Sequence, residues 1–336
     1  MSRKQFSSSA ARSTAATLLI GLGIASAHPV IATASDGATA RAGRPVMGTI
    51  LQVTVIADTE DRARELVEDC VKIAEHWDDV LTTWREEGEL FQLNAKAGQG
   101  PLEVSADLAA ALAAMRIAAR STGGAFEPGV GPVVHLLRRG EEPSDANRLA
   151  VRNGRINTAL TLTDTTARLS EGAALDAGGI GKGIALDAMA EHLRAANVRG
   201  AYIDFGGSSQ IALGSPGEDS DGWTMVVAGA AERSVLGTLV LRTGSLSTSR
   251  ASNSNNPAGA IVNPDTGLAI EPPVVVTVHA ADAALAEYWS TALVVLGAGG
   301  LERARAAGVE AVMDNGGEVL ITPGFPLVPA KSKPAS

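Results

Sequence analysis

The chain has 336 residues, of which 45% are hydrophobic, enough to bury a large core and to exclude a globally disordered protein. Its formal net charge of -9 argues against a nucleic-acid partner, because such a partner is usually bound by a basic face. Only 3% of the residues are aromatic, so the core must be built mainly from Ala, Val, Leu and Ile.

Residues 1–34 have the pattern of an export signal and its cleavage region. A basic stretch at 2–6 precedes a short apolar run at 16–27, and the small residues at 25–27 and at 32–34 are two candidate cleavage sites. The apolar run is too short and too rich in Gly and Ala to be a convincing membrane span. We therefore predict an exported, periplasmic protein that is not an integral membrane protein, and the Sec and twin-arginine routes stay open.

The next elements alternate between strand and helix patterns. Residues 35–45 are small and polar and predict a linker, whereas 49–57 alternate apolar and polar residues, as a half-buried strand does. A first, amphipathic helix is predicted next, with an apolar face formed by Leu66, Cys70, Ile73, Trp77 and Val80. A second helix, which is rich in Ala, is predicted at 105–121, with Ser105 as its N-cap. Because Cys70 is the sole cysteine, no intramolecular disulfide can form.

Beyond residue 150, short apolar segments dominate and predict strands at 201–205, 223–228, 235–242, 274–279 and 318–322. Two helices interrupt them, one beginning near Lys182 and one at 282–296. The segments at 215–222 and 251–259 are predicted loops. This order predicts an α+β fold of mixed sheets and helices in a single domain at 46–326, with a disordered tail at 327–336.

The stretch "LDAGGIGKGIALD" at 175–187 places Lys182 among four glycines. A Gly-rich turn that opens a helix offers unpaired backbone N–H groups and a positive dipole end, which suit a phosphate. The spacing matches neither the Walker nor the Rossmann motif. A tight strand-to-helix turn with a surface lysine explains the pattern equally well, so spacing alone leaves both interpretations open.

Two further segments contain residues suited to ligand binding. Glu287 and Thr291 lie four apart on the predicted helix 282–296 and therefore share a face with neighbouring Ser290. Carboxylate and hydroxyl oxygens suit Mg²⁺, but a solvated Glu and a Thr bonded to its own backbone are the simpler interpretation. Phe126, between small residues at 123–132, is either a stacking platform for a flat ring or a core residue. The histidines show no metal-ligand spacing.

Taken together and in order, these segments resemble the ApbE family of FAD:protein FMN transferases, which are exported Mg²⁺-dependent enzymes. The resemblance runs from about residue 46 to residue 322. Its segments are "MGT" (47–49), "LTTWREEGELFQLN" (81–94), "STGGAFEPGVGPVV" (121–134), "LDAGGIGKGIALD" (175–187), "GAYIDFGGS" (200–208), "NPDTG" (263–267) and "VTVHAADAALAEYWSTALVVLG" (276–297). The Lys182 segment is the most specific of them.

The resemblance implies a set of ligand-binding residues and a reaction. It implies FAD contacts at Met47, Trp84, Ala125, Phe126, Glu127, Asp176, Lys182 and Ile261. It implies Mg²⁺ held by the backbone carbonyl of Gly179 and by the side chains of Glu287, Thr291 and Ser290. FMN would pass from FAD to a Thr or Ser hydroxyl of an exported redox protein with release of AMP, with Lys182 and Glu287 as the catalytic residues.

The chain also departs from the family pattern. Ala260 stands where the family usually has a catalytic-candidate His, Asn263 replaces an Asp, Ser208 replaces the Asp of "GGD", and Glu287 replaces an Asp. Because an Ala cannot move a proton, acid–base help is missing at that point, and His279 is the candidate substitute. An exported FAD-binding protein, or an FAD pyrophosphatase, with weak or no transferase activity therefore remains the alternative function.

Overall fold

The computed structural model describes residues 37–231, 233–251, 259–271 and 273–330. The predicted signal peptide at 1–34 and most of the predicted loop at 251–259 lie outside the described residues. The helices are α1 (Glu60–Leu81), α2 (Glu89–Ala95), α3 (Ala106–Ser121), α4 (Gly131–Arg138), α5 (Asp145–Asn153), α6 (Ile156–Ala159), α7 (Gly181–Ala195), α8 (Ala283–Leu296) and α9 (Leu301–Ala306). The strands are β1 (Ala38–Val46), β2 (Thr49–Ala57), β3 (Leu102–Glu103), β4 (Leu160–Leu162), β5 (Thr166–Leu169), β6 (Gly200–Phe205), β7 (Ser209–Gly214), β8 (Trp223–Ala228), β9 (Val235–Leu241), β10 (Thr243–Arg250), β11 (Val262–Asn263), β12 (Leu268–Ala269), β13 (Val275–Ala280), β14 (Glu310–Asp314), β15 (Val319–Ile321) and β16 (Val328–Pro329).

The main sheet has eight strands in the order β1-β2-β6-β7-β10-β13-β14-β15. Each neighbouring pair in it is antiparallel. Smaller sheets are formed by β16-β9-β8, β3-β5-β4 and β11-β12. Helices and strands therefore mix without the regular alternation of a doubly wound sheet, which confirms the predicted α+β class.

The two faces of the main sheet bury different partners. On β6, Ala201, Ile203 and Phe205 point to the side covered by α1 and α7. Tyr202 points to the opposite side and stacks on Trp223 of the small β8–β9 sheet, with ring centroids 5.6 Å apart. This alternation follows from the period of two along a strand, so each face acquires its own core.

Several predicted elements are confirmed. The strand predicted at 49–57 is β2, and the face predicted for the first helix belongs to α1, where Cys70 is fully buried. Burial raises the pKa of its thiol to about 12. Ser105 caps α3 by accepting a hydrogen bond from the Leu108 N–H at 3.0 Å.

Two predicted boundaries are wrong. The predicted linker at 35–45 contains most of β1, which pairs with β2 from Ala38 to Val46. The predicted disordered tail at 327–336 includes β16, where Val328 and Pro329 pair with β9. Both are edge strands with largely exposed side chains, so backbone pairing holds them without an apolar pattern.

Among the described residues, the helical stretch Ala283–Ala306 has the length and mean hydropathy, 1.2, of a membrane span. Its first part is α8, which packs against β10 and β13 and buries Trp289 and Leu293 completely. A core helix passes the same test of length and composition, so the test alone does not indicate a membrane segment.

Candidate active site

The site begins where α7 and α8 come into close contact. A Cβ atom added to Gly183 would lie 2.5 Å from Ala284 Cα and 2.6 Å from its backbone nitrogen. Backbone atoms cannot yield as a flexible side chain does, so this position requires glycine at this helix separation. The close approach brings Lys182, in the first turn of α7, beside Glu287 on α8.

Glu287 is only 3% exposed, and its carboxylate contacts three donors among the residues that the structure describes. Its Oε2 atom accepts a hydrogen bond from the Gly183 N–H at 2.6 Å, and Oε1 accepts one from Ser209 Oγ at 3.2 Å. The Lys182 ammonium forms an ion pair with Oε1. These partners offset the cost of burying a charge, and they unite the two residues predicted to be catalytic.

A cluster of hydroxyl groups lies next to Glu287 on α8. Ser290 Oγ is fully buried and donates to the Glu287 carbonyl at 2.9 Å. It also lies 2.7 Å from Ser249 Oγ, which is 3.3 Å from Thr291 Oγ1. A Cβ on Gly179 would lie 2.9 Å from Thr291 Oγ1, so the glycine backbone borders the same cluster. The structure therefore places Ser290 and Thr291 in one hydroxyl cluster that Gly179 borders, and the binding of a metal ion by these residues together with Glu287 stays a prediction.

Two members of the hydroxyl cluster were missed from the sequence. Ser247 Oγ is 3.1 Å from Ser290 Oγ, and Ser249 contacts both Ser290 and Thr291. Both serines belong to β10, a strand whose sequence "TGSLSTSR" lacks the apolar alternation that predicts a strand. Its concentration of Ser and Thr was the available signal.

The donor chemistry of the cluster fits Mg²⁺. It combines one carboxylate with hydroxyl and carbonyl oxygens, which are hard ligands. Across the described residues, no three His, Cys, Asp or Glu side chains are grouped so as to hold a metal ion. Lys182 supplies a positive charge at Glu287 Oε1, where a cation would also bind.

A cavity of about 620 Å³ opens beside Lys182. Of the predicted FAD contacts, its lining includes Met47, Trp84, Asp176 and Lys182. Side chains that the sequence did not single out also line it, namely Asp78, Phe91, His135, Arg138 and Arg139. A cavity of this size, with a few charged groups converging on it, is typical of a site for a small organic ligand.

Asp176 is the most strongly paired carboxylate of the cavity. Arg138 binds both of its oxygens, with Nη2 3.0 Å from Oδ1, and the Gly178 N–H donates to Oδ1 at 2.9 Å. His135 Nε2 lies 3.3 Å from Oδ2. Burial by itself raises the pKa of Asp176, but Arg138 and His135 outweigh burial and lower it well below its usual value. Asp176 is therefore ionised, and the cavity wall contains an ion pair.

The other predicted FAD contacts do not line this cavity. Glu127 Oε1 accepts hydrogen bonds from the backbone N–H groups of Gly129 at 2.9 Å and Ile156 at 2.8 Å, and burial raises the pKa of its carboxyl. Phe126 and Ala125 are buried, and Ile261 packs against the same core cluster. Their contact with FAD stays a prediction.

The positions that depart from the family pattern have local roles. Asn263 Oδ1 accepts a hydrogen bond from the Asp265 N–H at 2.9 Å, which shapes a turn, and Ser208 Oγ donates to the Phe205 carbonyl at 3.0 Å.

Val276 and Val278 of β13 pack in the core beside α8. His279 alternates to the opposite face, with Nδ1 3.0 Å from the Ser245 carbonyl oxygen. The expectation that His279 substitutes for the histidine missing at position 260 is therefore wrong.

The fold and the site define a class of protein: an α+β domain with a cation-lined cavity beside a buried cluster of one carboxylate and several hydroxyls. The model of the ApbE family matches residues 47–313. The chain belongs to this family.

Curated relatives and solved structures agree with that assignment. The chain is 32% identical over 298 residues to the FAD:protein FMN transferase of Rhodobacter capsulatus, across 83% of this chain and 56% of that protein. It is 28% identical to the FAD:protein FMN transferase of Salmonella typhimurium, across 84% of this chain and 85% of that protein. The match also covers 49% of the Treponema pallidum relative, so the chain spans about half the length of several of these proteins.

The structural neighbours share the fold. The ApbE protein of Thermotoga maritima matches with a TM-score of 0.75 and 19% identity, over 85% of this chain and 98% of the neighbour. The flavin transferase ApbE of Vibrio cholerae matches with a TM-score of 0.74 and 23% identity, over 87% of this chain and 100% of the neighbour. At these identities the likeness establishes the fold alone.

Proposed function

We propose that the chain is a Mg²⁺-dependent FAD:protein FMN transferase, which moves FMN from FAD to a Thr or Ser hydroxyl of an exported redox protein and releases AMP. The observation that carries this proposal is the position of Lys182. Its side chain lines the cavity and also forms an ion pair with Glu287, so Lys182 contacts both the ligand cavity and the carboxylate of the cluster. The names of the curated relatives support the same activity.

The cavity has the chemistry to bind the diphosphate and a flat ring of FAD. Lys182 and Arg138 place cationic groups in its wall, and the first turn of α7 contributes the positive end of a helix dipole. Trp84 lines the cavity while 56% of its surface remains exposed, so its ring offers a face for stacking.

Glu287, Thr291, Ser290 and the Gly179 carbonyl would hold Mg²⁺ on the side of Lys182 where Glu287 lies. A metal ion bound there supplies charge neutralisation at the diphosphate. With a metal ion on Glu287, Lys182 would be released from its ion pair with Oε1 and could pair with a phosphate oxygen of the substrate. The acceptor hydroxyl oxygen forms a bond to the phosphorus of the FMN moiety, the P–O bond from that phosphorus to AMP breaks with its electron pair passing to the AMP phosphate oxygen, and the hydroxyl proton passes to solvent water.

The second candidate is an exported FAD-binding protein or an FAD pyrophosphatase with weak or no transferase activity. Ala260 and the position of His279 on the opposite face of the sheet favour it, because neither residue can serve as a base at the cluster. Under either function we propose an exported, periplasmic protein that is not integral to the membrane.

The deciding experiment incubates the mature protein with FAD, Mg²⁺ and a Thr-containing acceptor and weighs the acceptor by mass spectrometry. We expect a gain of one FMN, which chelation of the metal and Glu287→Gln abolish. Glu191→Gln is the matched control, because Glu191 is an exposed residue of α7. AMP release without an acceptor would indicate the pyrophosphatase, and tight FAD binding with an unmodified acceptor would indicate the binding protein.

A further inference from the structure

The first turn of α8 is capped by a residue of another helix. Asp282 occupies the N-cap position of α8, yet its side chain makes no capping hydrogen bond. Instead, Asp187 of α7 accepts hydrogen bonds from the Ala283 N–H at 2.7 Å on Oδ1 and from the Ala284 N–H at 2.9 Å on Oδ2. Two of the N–H groups that every helix start leaves unpaired are thus satisfied by one carboxylate.

The start of α7 is capped in the reverse direction. Ile180, at the N-cap position of α7, has no side-chain group to cap it. Glu287 of α8 accepts a hydrogen bond from the Gly183 N–H, in the first turn of α7, at 2.6 Å. Each helix therefore supplies a carboxylate to the N-terminus of the other, and the close contact of Gly183 with Ala284 lies between the two caps.

We propose that Asp187 is a positioning residue of the active site, which holds α8 against α7 so that Glu287 stays beside Gly183 and Lys182. Asp187 is not among the residues that line the cavity, and it contacts Glu287 only through the helix that it caps. Its effect on FMN transfer rests on the proposed function, whereas its effect on the geometry of the two helices does not.

The geometric part is tested by hydrogen exchange of the Gly183 amide, whose partner is Glu287 and not Asp187. In Asp187→Asn, one carboxylate oxygen becomes an amide nitrogen that faces an N–H donor, so one cap bond is lost. We expect faster exchange at Ala283 and Ala284, and also at Gly183, by roughly tenfold, the factor typical of losing a helix cap. Asp282→Asn, which removes the same charge at the same helix end, should leave the Gly183 amide unchanged. Unchanged exchange at Gly183 in Asp187→Asn would reduce Asp187 to a local cap and overturn the proposal.

The functional part is read from the kinetics of FMN transfer. We expect Asp187→Asn to lower kcat by roughly tenfold, by the same estimate for a lost cap, with little change in KM for FAD. Asp187→Glu, which keeps both carboxylate oxygens on a longer side chain, should fall between wild type and Asp187→Asn in both measurements, and it replaces Asp187→Asn if that variant does not fold. A kcat equal to that of Asp282→Asn would contradict the positioning role. If wild type transfers no FMN, the proposed function fails, and the exchange at Gly183 still decides the role of Asp187.

Discussion

Asp176 and Asp187 are both largely buried carboxyls, but their neighbours move their pKa values in opposite directions. At Asp176 burial raises the pKa, but the Arg138 guanidinium and His135 outweigh it and lower the value. At Asp187 burial dominates, the two backbone N–H groups of α8 lower the pKa only in part, Asp282 raises it, and the result is about 6. The direct cationic partner of Asp176 therefore keeps that carboxyl ionised, whereas burial raises the pKa of Asp187 to about 6.

The raised pKa of Asp187 predicts a pH-dependent stability. Between the ordinary aspartate value of 3.8, which holds in the unfolded chain, and the folded pKa of about 6, the folded state binds more protons than the unfolded state. The contribution of Asp187 to the free energy of unfolding is therefore full below pH 4 and falls as the pH rises through 6. In urea unfolding, the free energy of unfolding of wild type, measured relative to that of Asp187→Asn, should fall by roughly 3 kcal/mol between pH 4 and pH 7. A difference between the two proteins that does not change with pH would contradict the raised pKa.

Arg138→Gln tests the ion pair of the cavity wall. The substitution leaves the buried Asp176 carboxylate without its bidentate partner, so we expect a loss of about 1.5–3 kcal/mol in the free energy of unfolding. We also expect weaker FAD binding in a fluorescence titration. Arg62→Gln is the control, because the Arg62 guanidinium pairs with the exposed Glu65 away from the cavity and its loss should change stability by no more than about 0.5 kcal/mol. Equal effects of the two substitutions would argue against a special role for Arg138.

At the scale of elements, α7 and α8 form the frame of the site. Their contact depends on the missing side chain at Gly183 and on the two carboxylates that cap each other's helix. The glycines around Lys182 therefore do more than make a flexible loop, since at least one of them sets the distance between two helices. Strand β10 completes the frame by presenting Ser247 and Ser249 to α8.

Gly183→Ala tests this frame. The added Cβ would overlap the backbone of Ala284, so the helices must separate, at an expected cost of about 1–3 kcal/mol in urea unfolding. The better helix propensity of Ala offsets this by at most about 1 kcal/mol. Gly299→Ala serves as the control, because a Cβ there meets nothing within 4 Å. A Gly183→Ala variant as stable as wild type would show that the helices can move apart freely.

At the scale of the whole molecule, the site lies where two hydrophobic cores meet. One core joins α1 and α7 to β1 and β2, and the other joins α3 and α8 to β13 and β14. Met47, which lines the cavity, packs against both cores. A ligand in the cavity therefore contacts elements from both halves of the fold, and its binding should stabilise the folded state globally.

Thermal unfolding with ligands measures that coupling. A ligand that binds only the folded state at 100 times its Kd adds about 2.7 kcal/mol to the free energy of unfolding. We expect FAD with Mg²⁺ to raise Tm, followed by circular dichroism, by several degrees. The rise should shrink when the metal is chelated and in Glu287→Gln. An equal rise with and without metal would contradict a shared site.

Much of the fold follows from local patterns. The alternation at 49–57 and the apolar face of α1 are confirmed because burial of one face repeats at the period of the element itself. The strands β1 and β10 were missed because one is an exposed edge and the other faces a polar site, so neither has an apolar alternation.

By itself, the sequence determined the local elements, the Gly-rich turn before Lys182, and the shared helix face of Glu287 and Thr291. Only the tertiary structure decided which distant groups meet: Arg138 with Asp176, Ser249 with Ser290, and Asp187 with the start of α8. The physical reason is that periodicity and spacing act over a few residues, whereas these partners are brought together by the packing of a whole sheet and its helices.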